Sequence, residues 1–484
     1  MGNVKKNFIF QTAYQLLTMI LPFVTAPYIS RVLGAENAGI YSFTYTIANY
    51  FVLFAMLGIN NHGSRLIAQV KDDKKQLNLV FSSLFALHFI VSISALVVYF
   101  VYIAVSESQY RLYAAVQGLF VLSAALDINW LFFGLEKFKI TVTRNTVIKL
   151  ITVAMVFVCV RSKDDLLIYT VVMALGNLIS QSVIWLFVKK EVKFVKPDKH
   201  MMLSNIKPLC ILFVATIATS LFRTIDKVML GKMCNMSIVG CYEYADKMVM
   251  FPIGIITALG TIMLPRMSNM YKRGNNKDAQ KYLSMSLEFS MIIASALTFG
   301  LMSISENFSV LFFGKQYVLT GEILKYISIT VLLIAFNNVI RTQYIIPKNK
   351  DNIYLCAVIS GALINILINA LLIPHLKSNG AVIGTIVSYL VVFIIQCIGV
   401  CREIPLKQYL LKALYPIAAG LVMCITVRAS GKFLPVTFIG LIVQIIIGAI
   451  VFCLLMMVYC MKSQKSDVSV YVRNILKNVK NKKA

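Results

Sequence analysis

Apolar residues along this chain come in long runs, and short polar stretches separate one run from the next. Each run holds about 20 residues, which is the length that a helix needs to cross the hydrocarbon core of a bilayer. Inside hydrocarbon every backbone N–H and C=O group must be paired within the protein, so runs of this length predict helices. The pattern therefore predicts an all-α polytopic membrane protein.

Counting the apolar windows gives about fourteen predicted transmembrane helices. Charged residues interrupt the seventh and eighth windows, and the thirteenth window is short. The predicted spans are residues 8–30, 40–60, 79–104, 110–134, 142–161, 166–188, 206–230, 242–264, 282–305, 322–346, 353–373, 379–400, 410–427 and 436–461.

The overall composition agrees with this pattern. Apolar residues make up 59% of the 484 residues, charged residues make up 14%, and the mean hydropathy is +0.78. A soluble domain carries about 25% charged residues. The composition therefore excludes an ordinary soluble protein.

A formal net charge of +27 raises the question of nucleic-acid binding. Most Lys and Arg residues lie in short segments between spans and near the C-terminus, not along one helix face, so we expect no nucleic-acid partner. With the N-terminus in the cytoplasm, the inner segments hold about three times as many basic residues as the outer loops, which include Arg111 and Lys232. This asymmetry predicts a multi-pass protein of the cell membrane with both termini in the cytoplasm.

Landmarks from the start of the chain recur about 200 residues later, which indicates an internal repeat. The landmarks Leu33, Gly34, Gly39, Gly58 and Arg65 correspond to Leu230, Gly231, Gly240, Gly260 and Arg266. Both sets begin with the same predicted orientation, so we predict parallel repeats, an arrangement that transporters use. The predicted domains are an N-terminal lobe of helices 1–6 (1–195), a C-terminal lobe of helices 7–12 (196–401), two additional helices (402–461) and a basic cytoplasmic tail (462–484).

The sharpest polar constellation lies in the seventh span, where Arg223, Asp226 and Lys227 share one helix face because they are three and four residues apart. Arg223 lies about 10 Å from the predicted outer end of the helix. Charges at that depth are costly and usually face an aqueous cavity or a partner. We therefore predict a polar pathway in which Arg223 binds phosphate oxygens, with a self-neutralising Arg223–Asp226 pair as the alternative.

Four more charged residues are candidates for the same cavity. Asp246 and Lys247 at the start of the eighth span either extend the polar face or form a solvated helix end. Lys149 lies too deep in the fifth span to reach water easily, which makes it a cavity candidate. Arg341 near the inner end of the tenth span either faces the cavity or reaches the headgroups.

Segments near the N-terminus resemble a known family. The residues are Pro27 to Gly34, Gly39 to Phe43, Gly58-Ile59 and Gly63-Ser64-Arg65, with Asp127, Trp130 and Gly134 in the fourth span. They resemble the polysaccharide biosynthesis flippases, the Wzx-type O-antigen and capsule repeat-unit transporters of the multidrug/oligosaccharidyl-lipid/polysaccharide superfamily. The number of spans and the six-plus-six-plus-two pattern agree with this resemblance over the whole chain.

The resemblance implies a substrate and a mechanism. The substrate is an oligosaccharide repeat unit on undecaprenyl diphosphate, which alternating access moves from the inner to the outer leaflet for surface polysaccharide assembly. It also implies a cavity lined by the first, second, seventh and eighth spans, contact with membrane lipids and possible partnership with the polysaccharide polymerase machinery. Ser30 to Gly34 also resembles a segment of the lipid II flippases, so that function stays open.

A cation-coupled multidrug exporter of the related MATE type is the other alternative. Those exporters use an acidic residue in the first span, and residues 8–30 contain none. The chain carries no nucleophile elbow, P-loop or zinc-protease motif. We therefore expect a transporter rather than an enzyme, with no cofactor and no metal site.

Overall fold

The computed structural model describes residues 2–106 and 109–462. Within these ranges the chain is almost entirely helical and contains no strand. The helices are α1 (Gly2–Met56), α2 (Ile59–Val70), α3 (Lys74–Val105), α4 (Arg111–Ala125), α5 (Asn129–Gly134), α6 (Phe138–Cys159), α7 (Leu166–Val183), α8 (Trp185–Val188), α9 (Lys199–Met233), α10 (Met236–Lys272), α11 (Asn276–Phe313), α12 (Val318–Ile327), α13 (Thr330–Ile340), α14 (Asp351–Leu376), α15 (Ser378–Val400), α16 (Leu406–Gly431) and α17 (Phe438–Lys462). The predicted basic tail lies outside the described residues, apart from Lys462 at the end of α17.

Among the described residues, twelve helical segments are long and apolar enough to cross a membrane, and the bent pair Lys315–Ile327 and Thr330–Ile345 makes a thirteenth. One of the twelve, Ile20–Val70, has 51 residues. At 1.5 Å per residue it is about two and a half times as long as a bilayer core is thick. It also contains a break at Gly34, where φ is 81°, so it supplies two spans. The predicted all-α polytopic class is confirmed, and the count is close to the predicted fourteen.

The chain divides into two compact units, residues 1–240 and 241–484. The core of the first unit forms around Trp130, which is fully buried beside Phe81 at 5.6 Å between ring centroids. A Cβ on Gly63 of α2 would lie 2.9 Å from the Trp130 ring. A Cβ on Gly134 of α5 would lie 2.6 Å from Ile67. The small residues of the predicted motif therefore allow α2 and α5 to pack closely.

Helix α9 runs antiparallel to the second half of α1 and to α2, all within the first unit. Gly231 lies against Phe43, Thr224 bonds to Tyr50, and the Phe213 and Phe54 rings are 4.9 Å apart. Further along, the side chains of His62 and Asn205 are 2.6 Å apart. We call this extended contact the α1–α9 seam.

At one end of the α1–α9 seam the backbone of α1 crosses the start of α10. A Cβ on Gly39 would overlap the carbonyl group of Met236, and a Cβ on Gly240 would overlap the carbonyl group of Ala35. The two contacts are reciprocal, because each glycine lies against the backbone of the other segment. Gly39 and Gly240 were among the repeated landmarks, and close backbone packing explains why both positions are glycine.

The segment between α8 and α9 is extended and bound to α3. Backbone amides of Lys193, Val195 and Asp198 donate to the side chains of Asn78, Ser82 and Ser83 at 2.9, 3.0 and 2.9 Å. The Phe194 ring also packs against Phe81, Phe85 and Trp185. The segment contains the predicted boundary between the two lobes at residue 195, and its backbone is hydrogen-bonded to α3 within the first unit.

In the second unit α14 packs along α15, and α11 packs against α16 and α17. Asn365 and Asn369 of α14 are buried, and Gly384 of α15 leaves room for the Asn369 side chain. Phe299 and Met423 belong to the apolar cluster between α11, α16 and α17. These contacts fix the helices that carry the polar residues described below.

Candidate functional site

The predicted polar face of the seventh span lies on α9, midway along the α1–α9 seam. We call Arg223, Thr224, Asp226 and Lys227 the α9 polar cluster. Asp226 and Lys227 are buried, with 2% and 8% of their surface exposed, whereas Arg223 is exposed. The three charged residues therefore share one helix turn but not one environment.

Tyr50 joins α1 to the α9 polar cluster. Its hydroxyl lies 2.9 Å from Thr224 Oγ1, and Asp226 and Lys227 lie nearby. Thr224 Oγ1 also donates to the Ser220 carbonyl at 2.9 Å. Arg223, Asp226 and Lys227 each take part in further interactions. The arrangement places two buried charged residues beside the α1–α9 seam and leaves the Arg223 side chain exposed.

This geometry suits recognition of an anion. A guanidinium offers a planar set of donors that matches phosphate oxygens in pairs, which a lysine ammonium does not. Removing one member of a buried group of charges leaves the others uncompensated, so we expect the loss of Asp226 or Lys227 to lower stability as well as to change the local charge. Tyr50 and Thr224 were not singled out from the sequence, because a lone Tyr or Thr in an apolar run gives no distinguishing signal.

Lys149 lies on α6, which packs against α1 and α7. Its side chain is half-buried. Among the described residues it has no hydrogen-bond or ion-pair partner. A half-buried cation of this kind stays a candidate for an anion or water-filled cavity.

Lys247 and Asp246 lie on α10 in the second unit, and both are half-buried. Lys247 Nζ is 3.0 Å from Glu243 Oε1, one turn earlier on the same helix, and 5.1 Å from the Tyr244 ring centroid. Asp246 also makes an interaction. The charge of Lys247 is therefore already compensated locally, as in the solvated helix end considered as the alternative.

Arg341 lies in the second unit at the start of a π-helical turn, Arg341–Ile345. Its guanidinium carbon is 4.1 Å from the Tyr354 ring centroid, and its buried Nε has no hydrogen-bond partner among the described residues. Similar pairs are Arg266 on Tyr282 at 4.0 Å and Lys348 over Tyr271 at 4.7 Å. Cations stacked on tyrosines are held in place yet keep their charge, so this group is a second candidate for anion contact.

Glu403 lies between α15 and α16 and bonds to residues close to this group of cations and tyrosines. It accepts hydrogen bonds from Tyr344 Oη at 2.5 Å and from Lys350 Nζ. The hydrogen bond from Lys350 is the main cause that lowers the pKa of Glu403, and the one from Tyr344 adds to it. The carboxylate is therefore ionised at neutral pH.

A polar network in the first unit was not predicted as a whole. Arg144 is buried and donates to Asn129 Oδ1 at 2.9 Å and Asn145 Oδ1 at 2.6 Å. Asn129 in turn donates to Asp127 Oδ1 at 2.8 Å and to Gln181 Oε1 at 3.2 Å. The sequence feature that could have indicated this network is the run of polar residues at the start of α6. Counting basic residues to predict the orientation in the membrane does not reveal such a network.

Comparison with known proteins gives a consistent assignment. The family model described as "Polysaccharide biosynthesis protein" matches residues 4–271. The "Putative O-antigen transporter" of Shigella dysenteriae is 23% identical over 386 residues, which cover 79% of this chain and 96% of that protein. This relative therefore matches along nearly its whole length.

Two solved structures share the fold. One is titled "Lipid II flippase MurJ, inward closed conformation", with a TM-score of 0.77, 14% identity and coverage of 93% of this chain and 98% of that chain. The other is an inward-facing multidrug resistance MATE family transporter, with a TM-score of 0.60, 15% identity and coverage of 81% and 98%. At these identities the likeness concerns the fold alone.

Proposed function

We propose a transport function for this chain, which belongs to the polysaccharide biosynthesis protein family: it is a flippase for a lipid-linked oligosaccharide. The substrate class is an oligosaccharide repeat unit on undecaprenyl diphosphate, moved from the inner to the outer leaflet of the cell membrane. Support comes from the family, from the relative named as an O-antigen transporter and from the many apolar helices.

The observation that carries the proposal is the α9 polar cluster. An exposed guanidinium at Arg223, next to buried Asp226 and Lys227, provides a cation within a membrane-spanning helix. A diphosphate needs such a cation at this depth, because leaving water without compensation is costly for its charges. Arg341 and Lys149 are further candidate contacts for the anionic part of the substrate.

Transport by this route involves no covalent chemistry. Cationic side chains hold the diphosphate and sugar while the polyprenyl tail stays in lipid, and alternating access then exposes the polar part to the other side. Both termini lie in the cytoplasm in this proposal, as the distribution of basic residues predicts. The polysaccharide polymerase machinery would receive the product.

The test is an Arg223→Ala variant in cells that depend on this chain for surface polysaccharide. We expect lipid-linked precursor to accumulate and surface polysaccharide to fall at least about tenfold, the effect of losing one charge-assisted contact. Arg223→Lys should keep part of the activity, because it restores the charge but not the paired donors. Arg161→Ala, which removes an exposed arginine outside the cluster, is the control. Full polysaccharide with Arg223→Ala at normal protein levels would contradict the site.

The substrate class is tested separately in proteoliposomes. Defined polyprenyl-diphosphate oligosaccharides should become accessible at the opposite leaflet only when the protein is present. Flipping of lipid II in the same assay, together with essentiality for growth, would favour the lipid II flippase alternative instead.

A second candidate function is cation-coupled export of small amphiphiles. One observation favours it: Asp127 is a carboxylate in a membrane-spanning segment, and it bonds to Asn129 in the polar network around Arg144. This function predicts drug sensitivity on deletion and unchanged surface glycans. An Asp127→Asn variant that loses drug resistance while surface polysaccharide stays normal would support export over flipping.

A further inference from the structure

A cavity of about 660 Å³ opens at one end of the first unit, and no residue of the α9 polar cluster lines it. It lies where α3 ends, α4 begins and α9 ends, and the second half of α1 forms its floor. Cavities of this size commonly bind ligands. Nothing in the proposed transport step uses it.

The body of the cavity is apolar and faces outward. Val98, Val101 and Val105 of α3 line it, and they are 58%, 55% and 77% exposed. Because α3 is one of the membrane-spanning helices, an exposed valine row on it faces lipid rather than water. Acyl chains are therefore the material that surrounds this side of the cavity.

The mouth of the cavity carries positive charge. Arg111, at the first residue of α4, and Lys232, near the end of α9, both line it and are exposed. Arg111 Nε donates to the Ser106 carbonyl at 2.5 Å. Among the described residues neither cation has an acidic partner. The lining residues that the structure describes include no Asp or Glu, so within them the charge at the mouth is uncompensated.

Two tyrosines lie near the charged mouth of the cavity. Tyr102 and Tyr110 line the cavity beside the two cations. Tyrosines concentrate at the boundary between hydrocarbon and headgroups, where the ring lies in an apolar layer and the hydroxyl in a wet one. The cavity therefore extends from the headgroup level into the acyl layer, with its charge at the headgroup end.

We propose that this cavity binds one anionic phospholipid, with an acyl chain along the valine row and the headgroup phosphate at Arg111 and Lys232. A basic site between transmembrane helices recognises anionic headgroups by charge, whereas its apolar body accepts any acyl chain. Arg111 and Lys232 are both assigned to outer loops by the charge distribution, so the lipid belongs to the outer leaflet.

The test uses the full chain in detergent, titrated with phosphatidylglycerol or phosphatidylcholine and followed by native mass spectrometry. The wild-type protein should bind a first phosphatidylglycerol at least about fivefold more tightly than phosphatidylcholine, the effect of one cation at a headgroup. The variant Arg111→Gln/Lys232→Gln should lose that preference. The matched control Arg161→Gln/Lys163→Gln removes two exposed cations from the same unit and should keep it.

A second variant separates headgroup from chain binding and guards against misfolding. Val101→Trp fills the cavity from its exposed side, so the fold should tolerate it, and binding of either lipid at this site should fall. An unchanged preference in Arg111→Gln/Lys232→Gln, or equal binding of both lipids to the wild type, would overturn the proposal. Competition by undecaprenyl phosphate at tenfold lower concentration would assign the cavity to a polyprenyl lipid and also overturn it. These measurements involve no transport, so they do not depend on the proposed function.

Discussion

Gly39 and Gly240 meet backbone to backbone: a Cβ on either residue would lie 3.0 Å from the amide nitrogen of the other. Alanine at either position would also overlap a carbonyl group, of Met236 or of Ala35. Backbone cannot move aside as the end of a flexible side chain can, so the helices themselves must separate.

We therefore expect Gly39→Ala and Gly240→Ala each to destabilise the protein by about 1–3 kcal/mol, the usual cost of overpacking. The melting temperature in detergent measures this effect, with the folded fraction after heating determined by size-exclusion chromatography. Gly300→Ala is the matched control, because a Cβ there meets only Met423 Cε at 4.0 Å. Equal melting temperatures for Gly39→Ala and Gly300→Ala would show that the crossing is not tight.

The hydrogen bond between Tyr50 and Thr224 should couple α1 to α9. Tyr50→Phe removes the hydroxyl that makes this hydrogen bond, and we expect the free energy of unfolding to fall by about 1 kcal/mol. In a cycle with Thr224→Val, the double variant should lose less than the sum of the two single variants. Tyr102→Phe is the control, and strict additivity at positions 50 and 224 would argue against the contact.

The segment between α8 and α9 should become accessible when its acceptors on α3 are removed. The variant Asn78→Ala/Ser82→Ala/Ser83→Ala leaves three backbone amides without these partners. Each lost hydrogen bond should lower the stability of the segment's contact with α3 by about 1 kcal/mol. Trypsin added to inside-out vesicles should then cleave between residues 189 and 199 several-fold faster than in the wild type. Ser94→Ala, which removes only a hydroxyl that bonds within its own helix, should have no effect. Unchanged cleavage of the triple variant would mean that ring packing alone holds the segment.

Glu403 should make stability depend on pH in one direction. The folded state lowers the pKa of this carboxyl below its ordinary value of 4.5, through Lys350 and then Tyr344. Its contribution is therefore present above pH 4.5 and lost as pH falls through the folded-state pKa. The melting-temperature difference between wild type and Glu403→Gln should be largest at neutral pH and shrink in acid. A difference that grows on acidification would contradict this assignment.

The sequence predicted the helical class because apolar runs of the right length leave few alternatives in lipid. It also placed the break between the first two spans near Gly34, since a glycine beside a polar loop marks such a break. The predicted lobe boundary at residue 195 stays a prediction, and α9 packs within the compact unit of residues 1–240. Interhelical contacts such as Tyr50 with Thr224 decide where a helix packs, and hydropathy does not encode them.

Polar residues inside the helices were only partly interpretable. Three charges at helical spacing on α9 gave a clear signal, and they do lie on one turn. The charge of Arg144 by itself gave no clear signal, because a cation near the end of a span looks the same whether it reaches water or bonds to Asn129 and Asn145. The partners lie on other helices, and a single sequence does not say which helices are neighbours.

The extended segment between α8 and α9 has its partners far upstream. Lys193 bonds to a residue 115 positions earlier, and Val195 to one 113 positions earlier. During synthesis α3 has therefore long left the ribosome when this segment emerges, so the side chains that receive it are already made. Helix α3, made earlier, therefore positions the segment that leads into α9, and with it the start of α9.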